Sequence, residues 1–508
     1  MTIHKLIGGA LAATALLGMG AATVHAQSDK DTLVYVTGTD AQTLDPQMIN
    51  DLPTSRIVMH IHEALVKQDE NGELQPSLAT SWQVSDDNLT WTFKLREDVR
   101  FHDGAPFNAA AVKFTFDRMM DPETGSPRRS ALAAVERVDV VDEHQVAIVT
   151  KKPYAPLLTQ MSVYNLAIMS PAHTRAVGKD YGVNPSGTGP YKLESWQTGE
   201  SLTLVRNESY WGDKPALERI TMRVVPEDSA RVFMLLSGEA DVIASIPTVM
   251  LPRLDGSDDV NIIRRPGYRS IYLGMNLGIE PFDDQRVRRA VAHAVDPKAL
   301  LDGVLNGIGT LGGSIESPVI AGAKELPNYA YDPALAKQLL AEAGFADGLD
   351  VNFYVPTGRY LMDRQIGEAV QAQLAQAGIR AQIVSPEWGA MIGALLKDKK
   401  TAQLFILGKG SPTGDPDFTM TLLLMTGERV NATNLSDPEL DRMIAAQRSV
   451  VDPAEREKML HAIQDRVYEL IPHVVLFHED QLFAARSNVE GVQVYVNEFV
   501  DFTKASKR

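Results

Sequence analysis

Alternating apolar and polar side chains predict β-strands in the first half of the chain. Trp91, Phe93 and Leu95 alternate with polar residues over 90–95, which is typical of a strand with one buried face. Further strands are predicted over 33–39, 201–206 and 219–225. Up to about residue 190, these strands are mixed with only a few helices.

From about residue 283 the pattern changes to helices that alternate with strands. Asp332 and Pro333 start one helix as an N-cap followed by a first-turn proline, and Gly344 lies where a C-terminal glycine belongs. Further helices are predicted over 362–377 and 453–470, and further strands over 351–355, 380–384, 404–407 and 473–477. This alternation indicates an α/β lobe with a mainly parallel sheet. A crossover between two such lobes would form a cleft.

A signal peptide is predicted at the N-terminus. Lys5 precedes an apolar run over 6–22, and Val24-His25-Ala26 forms a cleavage signal of the small-x-small type. We expect residues 1–26 to be removed on export, which leaves about 480 residues. A chain of that length exceeds what one hydrophobic core usually supports, so two or three lobes are expected.

Composition and charge narrow the partners and the compartment. The chain has a net charge of −16 and no cysteine. A negative surface repels nucleic acid and anionic lipid, so neither is expected as a partner. No second apolar run is long enough to span a bilayer, and without a thiol no lipid can be attached at one. We therefore expect a free protein in the periplasm of a Gram-negative bacterium, without direct membrane insertion.

Motifs for catalysis and for metal binding are missing from the sequence. The His-Glu pairs at 62–63 and 478–479 lack the second histidine of a zinc protease, and no nucleophile elbow or P-loop occurs. His60 and His62 are two residues apart, which places them on different faces of a helix. We expect no enzymatic activity, no cofactor and no built-in metal site. A secreted hydrolase remains an alternative, although it would need a nucleophile–base pair.

Two loops carry candidate binding residues, because each follows a predicted core strand and ligands of α/β sheets collect beyond the carboxyl ends of the strands. Arg359 lies directly after the strand over 351–355, and its planar guanidinium suits a carboxylate. The second loop follows the strand over 404–407, and its candidate binding residues are Lys409, Ser411, Thr413 and Asp415. An ordinary surface arginine and a turn capped by Asp415 are the structural alternatives.

Several longer segments make the chain resemble the substrate-binding proteins of ABC importers, in the peptide/nickel class known as family 5. The most specific segment spans 77–122 and includes LREDVRFHDGAPF at 95–107. Supporting segments lie at 186–215, beginning SGTGPYKLESW, and at 226–242, 272–296 and 331–345. The resemblance covers essentially the whole mature chain.

The resemblance implies an α/β fold of the periplasmic binding protein type. Two lobes are joined by hinge strands, and an α+β subdomain is inserted in the first lobe, as in the type II or cluster C-like arrangement. Lobe I is predicted over 27–60, 190–270 and 485–508, the inserted subdomain over 61–189, and lobe II over 271–484. The ligand would be buried between the lobes, and the protein is expected to be a monomer.

The resemblance also implies which residues contact the ligand. In the dipeptide-binding branch, the arginine that matches Arg359 holds the C-terminal carboxylate of the ligand, and Trp388 fits the segment that follows. That branch places a tryptophan and an amine-binding aspartate where this chain has Lys409 and Pro412, and Asp415 matches a neighbouring acid. The glutathione-binding branch also lacks the amine-binding acid, and its STGEADW is similar to SPTGDPDF at 411–418. That branch retains the tryptophan, which this chain does not.

Two cations in one cleft indicate an acidic ligand. If Arg359 and Lys409 both face the cleft, each needs an anionic partner, because an unpaired buried charge costs on the order of several kcal/mol. We therefore expect a short peptide or peptide-like ligand with acidic groups, glutathione among them, that is delivered to the permease subunits of an ABC importer. The alternatives are uptake of a metal chelate such as nickel, a secreted hydrolase, and a chaperone-like or sensory role.

Overall fold

The computed structural model describes residues 30–49 and 51–508, so the predicted signal peptide over 1–26 lies outside the described residues. Within the described ranges, no helix combines the length and the apolar character needed to cross a bilayer. The strands before residue 260 are β1 (Thr32–Thr37), β2 (Val66–Gln68), β3 (Leu74–Pro76), β4 (Ala79–Val84), β5 (Thr90–Leu95), β6 (Val135–Asp142), β7 (Gln145–Thr150), β8 (Tyr191–Gln197), β9 (Ser201–Arg206), β10 (Arg219–Val224) and β11 (Val242–Ala244). The helices in this part are α1 (Leu52–Ile61), α2 (Ala109–Met120), α3 (Leu157–Gln160), α4 (Pro171–Val177), α5 (Asp228–Ser237) and α6 (Leu251–Asp255).

The second half contains longer helices and the two longest strands. The strands are β12 (Val260–Met275), β13 (Leu349–Tyr354), β14 (Ile379–Val384), β15 (Leu404–Lys409), β16 (His473–Arg486), β17 (Val489–Glu490), β18 (Gln493–Val494), β19 (Val500–Asp501) and β20 (Ser506–Lys507). The helices are α7 (Gln285–Ala294), α8 (Pro297–Gly303), α9 (Pro333–Glu342), α10 (Asp363–Gln376), α11 (Trp388–Gly393), α12 (Pro416–Leu424), α13 (Pro438–Gln447) and α14 (Pro453–Leu470).

A ten-stranded sheet runs through both halves of the molecule in the order β14-β13-β15-β12-β16-β11-β1-β10-β9-β8. We call the side with β1 and β8–β11 lobe I and the side with β13–β15 lobe II. The antiparallel strands β12 and β16 pair along most of their length, and β16 also pairs with β11 of lobe I while β12 pairs with β15 of lobe II. These two strands therefore join the lobes, as the predicted hinge strands do.

The three strands of lobe II are parallel to one another, and antiparallel pairing begins only at β12. Strand β13 is parallel to β14 and β15, as the alternation of helices and strands predicts, but β15 is antiparallel to β12. β16, which is antiparallel to β12, continues into lobe I, where it pairs with β11. The strand predicted over 473–477 is accordingly only the first part of β16, whose second part lies in lobe I.

The inserted subdomain, which we define by the four-stranded sheet β4-β5-β7-β6, has its own core. Trp91, Phe93 and Leu95 are buried in it, as the alternation over 90–95 predicts. The buried apolar residues come from 65–168 for the inserted subdomain, from 271–477 for lobe II, and mainly from 33–61, 191–260 and 482–505 for lobe I. The lobe boundaries given above from the sequence stay a prediction.

Aspartate caps fix where several helices of lobe II begin. The side chain of Asp332 accepts hydrogen bonds from the backbone N–H groups of Ala334 and Leu335, and Pro333 occupies the first turn of α9. Asp452 caps α14 in the same way. Gly344 has a φ of 97° directly after α9, a conformation that glycine adopts without strain. The predicted ends of these helices are confirmed.

Candidate functional site

A cavity of about 1320 Å³ lies between the lobes and is bordered by the inserted subdomain. Of the residues that the structure describes, nine basic and eight acidic ones line it, although the whole chain has a net charge of −16. The wall is thus much more basic than the protein as a whole. Such a wall suits a polar ligand with several charged groups.

The first predicted binding loop is held in place by the buried carboxylate of Asp363, which is 4% exposed. This carboxylate accepts hydrogen bonds from the backbone N–H groups of Gly358 (3.1 Å), Arg359 (2.8 Å) and Tyr360 (3.1 Å). Because β13 and β15 are parallel, the loop after β13 and the end of β15 lie at the same edge of the sheet. Asp363 thus presents Arg359 at the edge where the second predicted loop begins.

The side chain of Arg359 lines the cavity and is exposed to it. Its guanidinium carbon lies 5.1 Å from the centroid of the Tyr360 ring and 5.3 Å from that of Trp388. Among the described residues, no carboxylate lies within ion-pair distance of this guanidinium. Trp388 does not line the cavity and instead supports the arginine from behind. The arginine is therefore oriented by aromatic rings and is left with its hydrogen-bond donors available.

Lys409, the last residue of β15, lines the cavity from the same edge. Its ammonium nitrogen lies 4.6 Å from the centroid of the Phe418 ring. Burial first, and then the cations of Arg128 and Arg269, lower the pKa of Lys409 to about 8, and Glu316 opposes this shift. Arg128, from the inserted subdomain, also lines the cavity. The cations of Lys409, Arg128 and Arg269, which come from different parts of the chain, therefore lie near one another on the wall.

The remaining residues of the second predicted loop have different positions. Ser411 lines the cavity, and its hydroxyl donates to the carbonyl of Asp415 at 3.2 Å. Thr413 and Asp415 are buried and do not line the cavity. Asp415 caps α12 and forms an ion pair with Arg456, with a distance of 2.7 Å between Oδ1 and Nη2. Ligand contacts of these residues and of Arg359, Trp388 and Lys409 stay predictions.

A network of charges on the cavity wall was not predicted from the sequence. Arg269 of β12 forms ion pairs with Glu479 (2.9 Å) and Glu498 (3.1 Å), and Arg56 of α1 lies 3.6 Å from Glu498. The carboxylates, Glu498 foremost, raise the pKa of Arg269 above its usual range. The partners of Arg269 are 210 and 229 residues away in sequence, so no local motif could reveal them.

The inserted subdomain and lobe II touch directly, beside the cavity. The side-chain amide of Gln68 donates to the carbonyl of Thr413 at 2.6 Å, and the backbone N–H of Ala155 donates to the carbonyl of Arg448 at 2.7 Å. The hydroxyl of Thr159 lies 3.4 Å from the carboxylate of Asp415. These contacts join the inserted subdomain to lobe II directly.

Replacing Asp363 with alanine is expected to lower the free energy of unfolding by about 1–3 kcal/mol, because the loop N–H groups lose their acceptor. It is also expected to weaken ligand binding roughly tenfold, since Arg359 is no longer held in position. Urea unfolding and calorimetry of the variant measure the two effects. The control is Asp347→Ala, an exposed aspartate before β13 that should leave both quantities unchanged. Unchanged ligand affinity in Asp363→Ala would show that the loop is positioned by other contacts.

Comparison with known proteins identifies the family. The model for bacterial extracellular solute-binding proteins, family 5 middle, matches residues 73–430. The glutathione-binding protein GsiB of Escherichia coli strain K12 is 30% identical over 488 residues, which cover 94% of this chain and 95% of GsiB.

Solved structures agree with this result over nearly the whole chain. NikA from Brucella suis in complex with Fe(III)-EDTA matches with a TM-score of 0.86 and 27% identity, covering 94% of this chain and 100% of NikA. The dipeptide binding protein from Pseudoalteromonas sp. SM9913 in complex with Met-Leu matches with a TM-score of 0.81 and 26% identity, covering 94% and 100% of the two chains. The protein therefore belongs to the bacterial extracellular solute-binding proteins of family 5.

Proposed function

We propose that this protein captures a short acidic peptide, or a peptide-like ligand such as glutathione, between its lobes and delivers it to the permease of an ABC importer. The single observation that carries this proposal is the set of unpaired cations on the cavity wall. Within the described chain, Arg128, Arg359 and Lys409 line the cavity without a carboxylate at ion-pair distance.

The energetics of these cations favour an anionic ligand. Each cation loses solvation when the lobes enclose it, and an unpaired buried charge costs on the order of several kcal/mol. A carboxylate at Arg359 can accept two parallel hydrogen bonds from the guanidinium, an arrangement that Lys409 cannot provide. Arg359 therefore suits a fixed terminal carboxylate, whereas the ammonium of Lys409 suits a second acidic group of variable position.

The ligands of the relatives are compatible with this assignment. GsiB is named a glutathione-binding protein, and the ligands bound in the two solved structures are Fe(III)-EDTA and the dipeptide Met-Leu. Glutathione and the EDTA chelate are both polycarboxylates.

Capture by closure is the proposed mechanism. Strands β12 and β16 connect the lobes and can act as a hinge, and a ligand that bridges both walls favours the closed form. Closure excludes water and strengthens each polar contact. The closed protein, a monomer in the periplasm, would then dock on the permease, and separate subunits would hydrolyse ATP. The ligand leaves chemically unchanged.

Calorimetry on ligand-stripped protein tests the proposal. Glutathione and the dipeptide Ala-Glu are expected to bind. Ala-Lys is expected to bind at least tenfold more weakly, because its positive side chain faces the cations of the wall; a factor of ten corresponds to about 1.4 kcal/mol of binding free energy. Tight binding of neutral or basic dipeptides, with none of acidic ones, would overturn the proposal. Chromatography of the ligand after incubation provides a second readout, because cleavage products would indicate a hydrolase.

The affinity for an acidic ligand is expected to fall with rising pH above about 8. Lys409 has a pKa of about 8 in the free protein, and a bound carboxylate stabilises its charged form, so the pKa rises in the complex. Affinity is therefore constant below this pH and decreases above it, by at most about tenfold per pH unit. Calorimetry near pH 7 and near pH 9.5 measures the change.

The variant Lys409→Gln is the control for that pH dependence. In this variant the ligand still ionises as before, but residue 409 no longer does. The difference between the pH profiles of ligand affinity for variant and wild type is therefore the contribution of Lys409. The same pH profile for both proteins would show that Lys409 does not contact the ligand.

A further inference from the structure

The inserted subdomain is attached to lobe I by a closely packed neck. The chain enters the subdomain from α1 and leaves it into β8, and both elements contribute to the core of lobe I. Within the neck, the N–H of Gly189 donates to the carbonyl of Ile61 at 2.9 Å, and a Cβ on Gly189 would lie 2.5 Å from the carbonyl oxygen of His60. The two passages of the chain therefore pack backbone against backbone, which leaves little room for bending.

Glu63 adds side-chain contacts to the same neck. Its carboxylate accepts hydrogen bonds from the hydroxyl of Thr188, which lies in the neck, at 2.8 Å. It also accepts from the hydroxyl of Tyr210 and from the indole N–H of Trp211, which lie between β9 and β10 of lobe I, each at 2.8 Å. A movement of lobe I therefore carries the inserted subdomain with it.

The strands that join the lobes have an irregular segment at 267–269. The pairing of β12 with β16 shifts register between Pro266 and Ser270. The part of β12 that pairs with β15 of lobe II begins at Ser270, whereas the part of β16 that pairs with β11 of lobe I lies on the other side of the shift. The irregular segment thus separates the lobe I half of these strands from the lobe II half, which is where a hinge would bend.

Tyr268, in this irregular segment, places its hydroxyl between the inserted subdomain and lobe II. A Cβ on Gly72, in the turn between β2 and β3, would collide with the hydroxyl oxygen, and so would a Cβ on Gly414, in the second predicted loop. Both glycines have a positive φ, of 86° and 65°. Tyr268 therefore touches both bodies at once, from the strand on which they would turn.

Gln68 of β2 connects this hydroxyl to lobe II. Its side-chain amide donates to the carbonyl of Thr413 at 2.6 Å, and its Oε1 accepts from Nδ2 of Asn497 at 3.1 Å and from the hydroxyl of Tyr268 at 3.4 Å. Gln68 is only 6% exposed, and a buried amide is costly without its partners. The hydroxyl of Thr413 lies 3.1 Å from that of Ser411, which lines the cavity. Gln68 thus holds the second predicted binding loop against the inserted subdomain.

We propose that Gln68 and Tyr268 are positioning residues that latch the inserted subdomain onto lobe II, and that this latch slows the release of the bound ligand. The inference rests on the capture by closure proposed above, but not on the chemistry of the ligand. Bending at 267–269 moves the subdomain away together with lobe I, so the hydrogen bond from Gln68 to Thr413 breaks before the ligand leaves. Because the latch forms after the ligand has entered, it affects dissociation and not association.

The kinetics of the probe glutathione, followed by stopped-flow tryptophan fluorescence, test the latch. Gln68→Met keeps the length of the side chain but removes its amide, and it is expected to raise the dissociation rate constant about five- to fiftyfold. Tyr268→Phe is expected to raise it about two- to fivefold, because one long hydrogen bond is lost. Both variants are expected to keep the association rate constant within about twofold of wild type.

Gln75→Met is the matched control for these variants. Gln75 lies in β3 of the same hairpin, outside the cavity wall, and its amide donates to Asp69 within that hairpin at 3.1 Å. Its replacement is expected to leave both rate constants unchanged. Thermal unfolding of each variant establishes that it is folded, and Tyr268→Phe keeps the test valid if Gln68→Met does not fold.

A distance measurement tests the latch in ligand-free protein. The chain has no cysteine of its own, so spin labels can be attached at Val141→Cys on the inserted subdomain and at Lys397→Cys on lobe II, two exposed positions. Pulsed electron paramagnetic resonance of the labelled protein is expected to show a larger fraction of the longer, open distance when Gln68→Met or Tyr268→Phe is added.

The outcomes separate this inference from the proposed function. Dissociation rates and label distances that stay unchanged in both variants overturn the latch and leave the proposed function intact. Slower association by the same factor as faster dissociation also overturns it, because the variants would then have damaged the binding site itself. If neither glutathione nor any acidic dipeptide binds, the proposed function fails, and the label distances alone decide on the latch.

Discussion

Replacing Arg359 with alanine is expected to weaken binding of an acidic peptide by about 2–5 kcal/mol, the range for removing one partner of a buried charge pair. The guanidinium lines the cavity, packs over Tyr360 and Trp388, and has no carboxylate partner among the described residues. It is therefore already oriented before the ligand arrives, so little ordering entropy opposes the new ion pair. Calorimetry of variant and wild type with glutathione measures the difference.

Arg364→Ala is the matched control for that variant. Arg364 is five residues further along the chain, is exposed, and forms an ion pair with Glu368 at 3.0 Å on the surface of α10. Its removal is expected to change the ligand affinity by less than about 0.5 kcal/mol, as is usual for an exposed ion pair. An equally small loss in Arg359→Ala would mean that Arg359 does not touch the ligand.

Reversing the charge of Lys409 is expected to have an effect of similar size. In Lys409→Glu a carboxylate replaces the ammonium near Glu316, a buried acid whose pKa is already raised well above its usual range by burial. An acidic ligand then loses one attraction and meets a new repulsion, so we expect binding to weaken by about 3–5 kcal/mol. We also expect the variant to bind Ala-Lys more tightly than wild type does.

Lys400→Glu controls for the change in net charge. Lys400 is exposed, precedes the same strand and lies outside the cavity wall. Long-range electrostatics would weaken acidic ligands equally in both variants, whereas direct contact affects only Lys409→Glu. An equal, small effect in the two variants would place Lys409 away from the ligand.

The local structure could be predicted from the sequence because its causes are local. Asp332, Pro333 and Gly344 mark the ends of α9 through capping and backbone conformation. The alternation of apolar and polar residues over 90–95 indicates that β5 has one buried face. Both signals depend on neighbouring residues alone. The two predicted binding loops belong to the same class, because each directly follows a strand.

The polar interior of the site could not be predicted in this way. Asp363 resembles any first-turn acid of a helix, yet its carboxylate organises the Arg359 loop. Asp415, whose ligand contact stays a prediction, forms an ion pair with Arg456, 41 residues later, which no local pattern indicates. The ion pairs of Arg269 join strands whose pairing is set by the whole sheet. Each of these interactions depends on tertiary contacts between distant segments, which carry no local pattern.

The central claim is that two lobes enclose a small acidic ligand and leave it unaltered. Native mass spectrometry of ligand-stripped protein, mixed with equal amounts of acidic, neutral and basic short peptides, tests this most directly. The account predicts one bound ligand per chain, drawn from the acidic peptides, that is released at its original mass when the protein is denatured. A complex formed only with neutral or basic peptides, or release of a cleaved product, would contradict it.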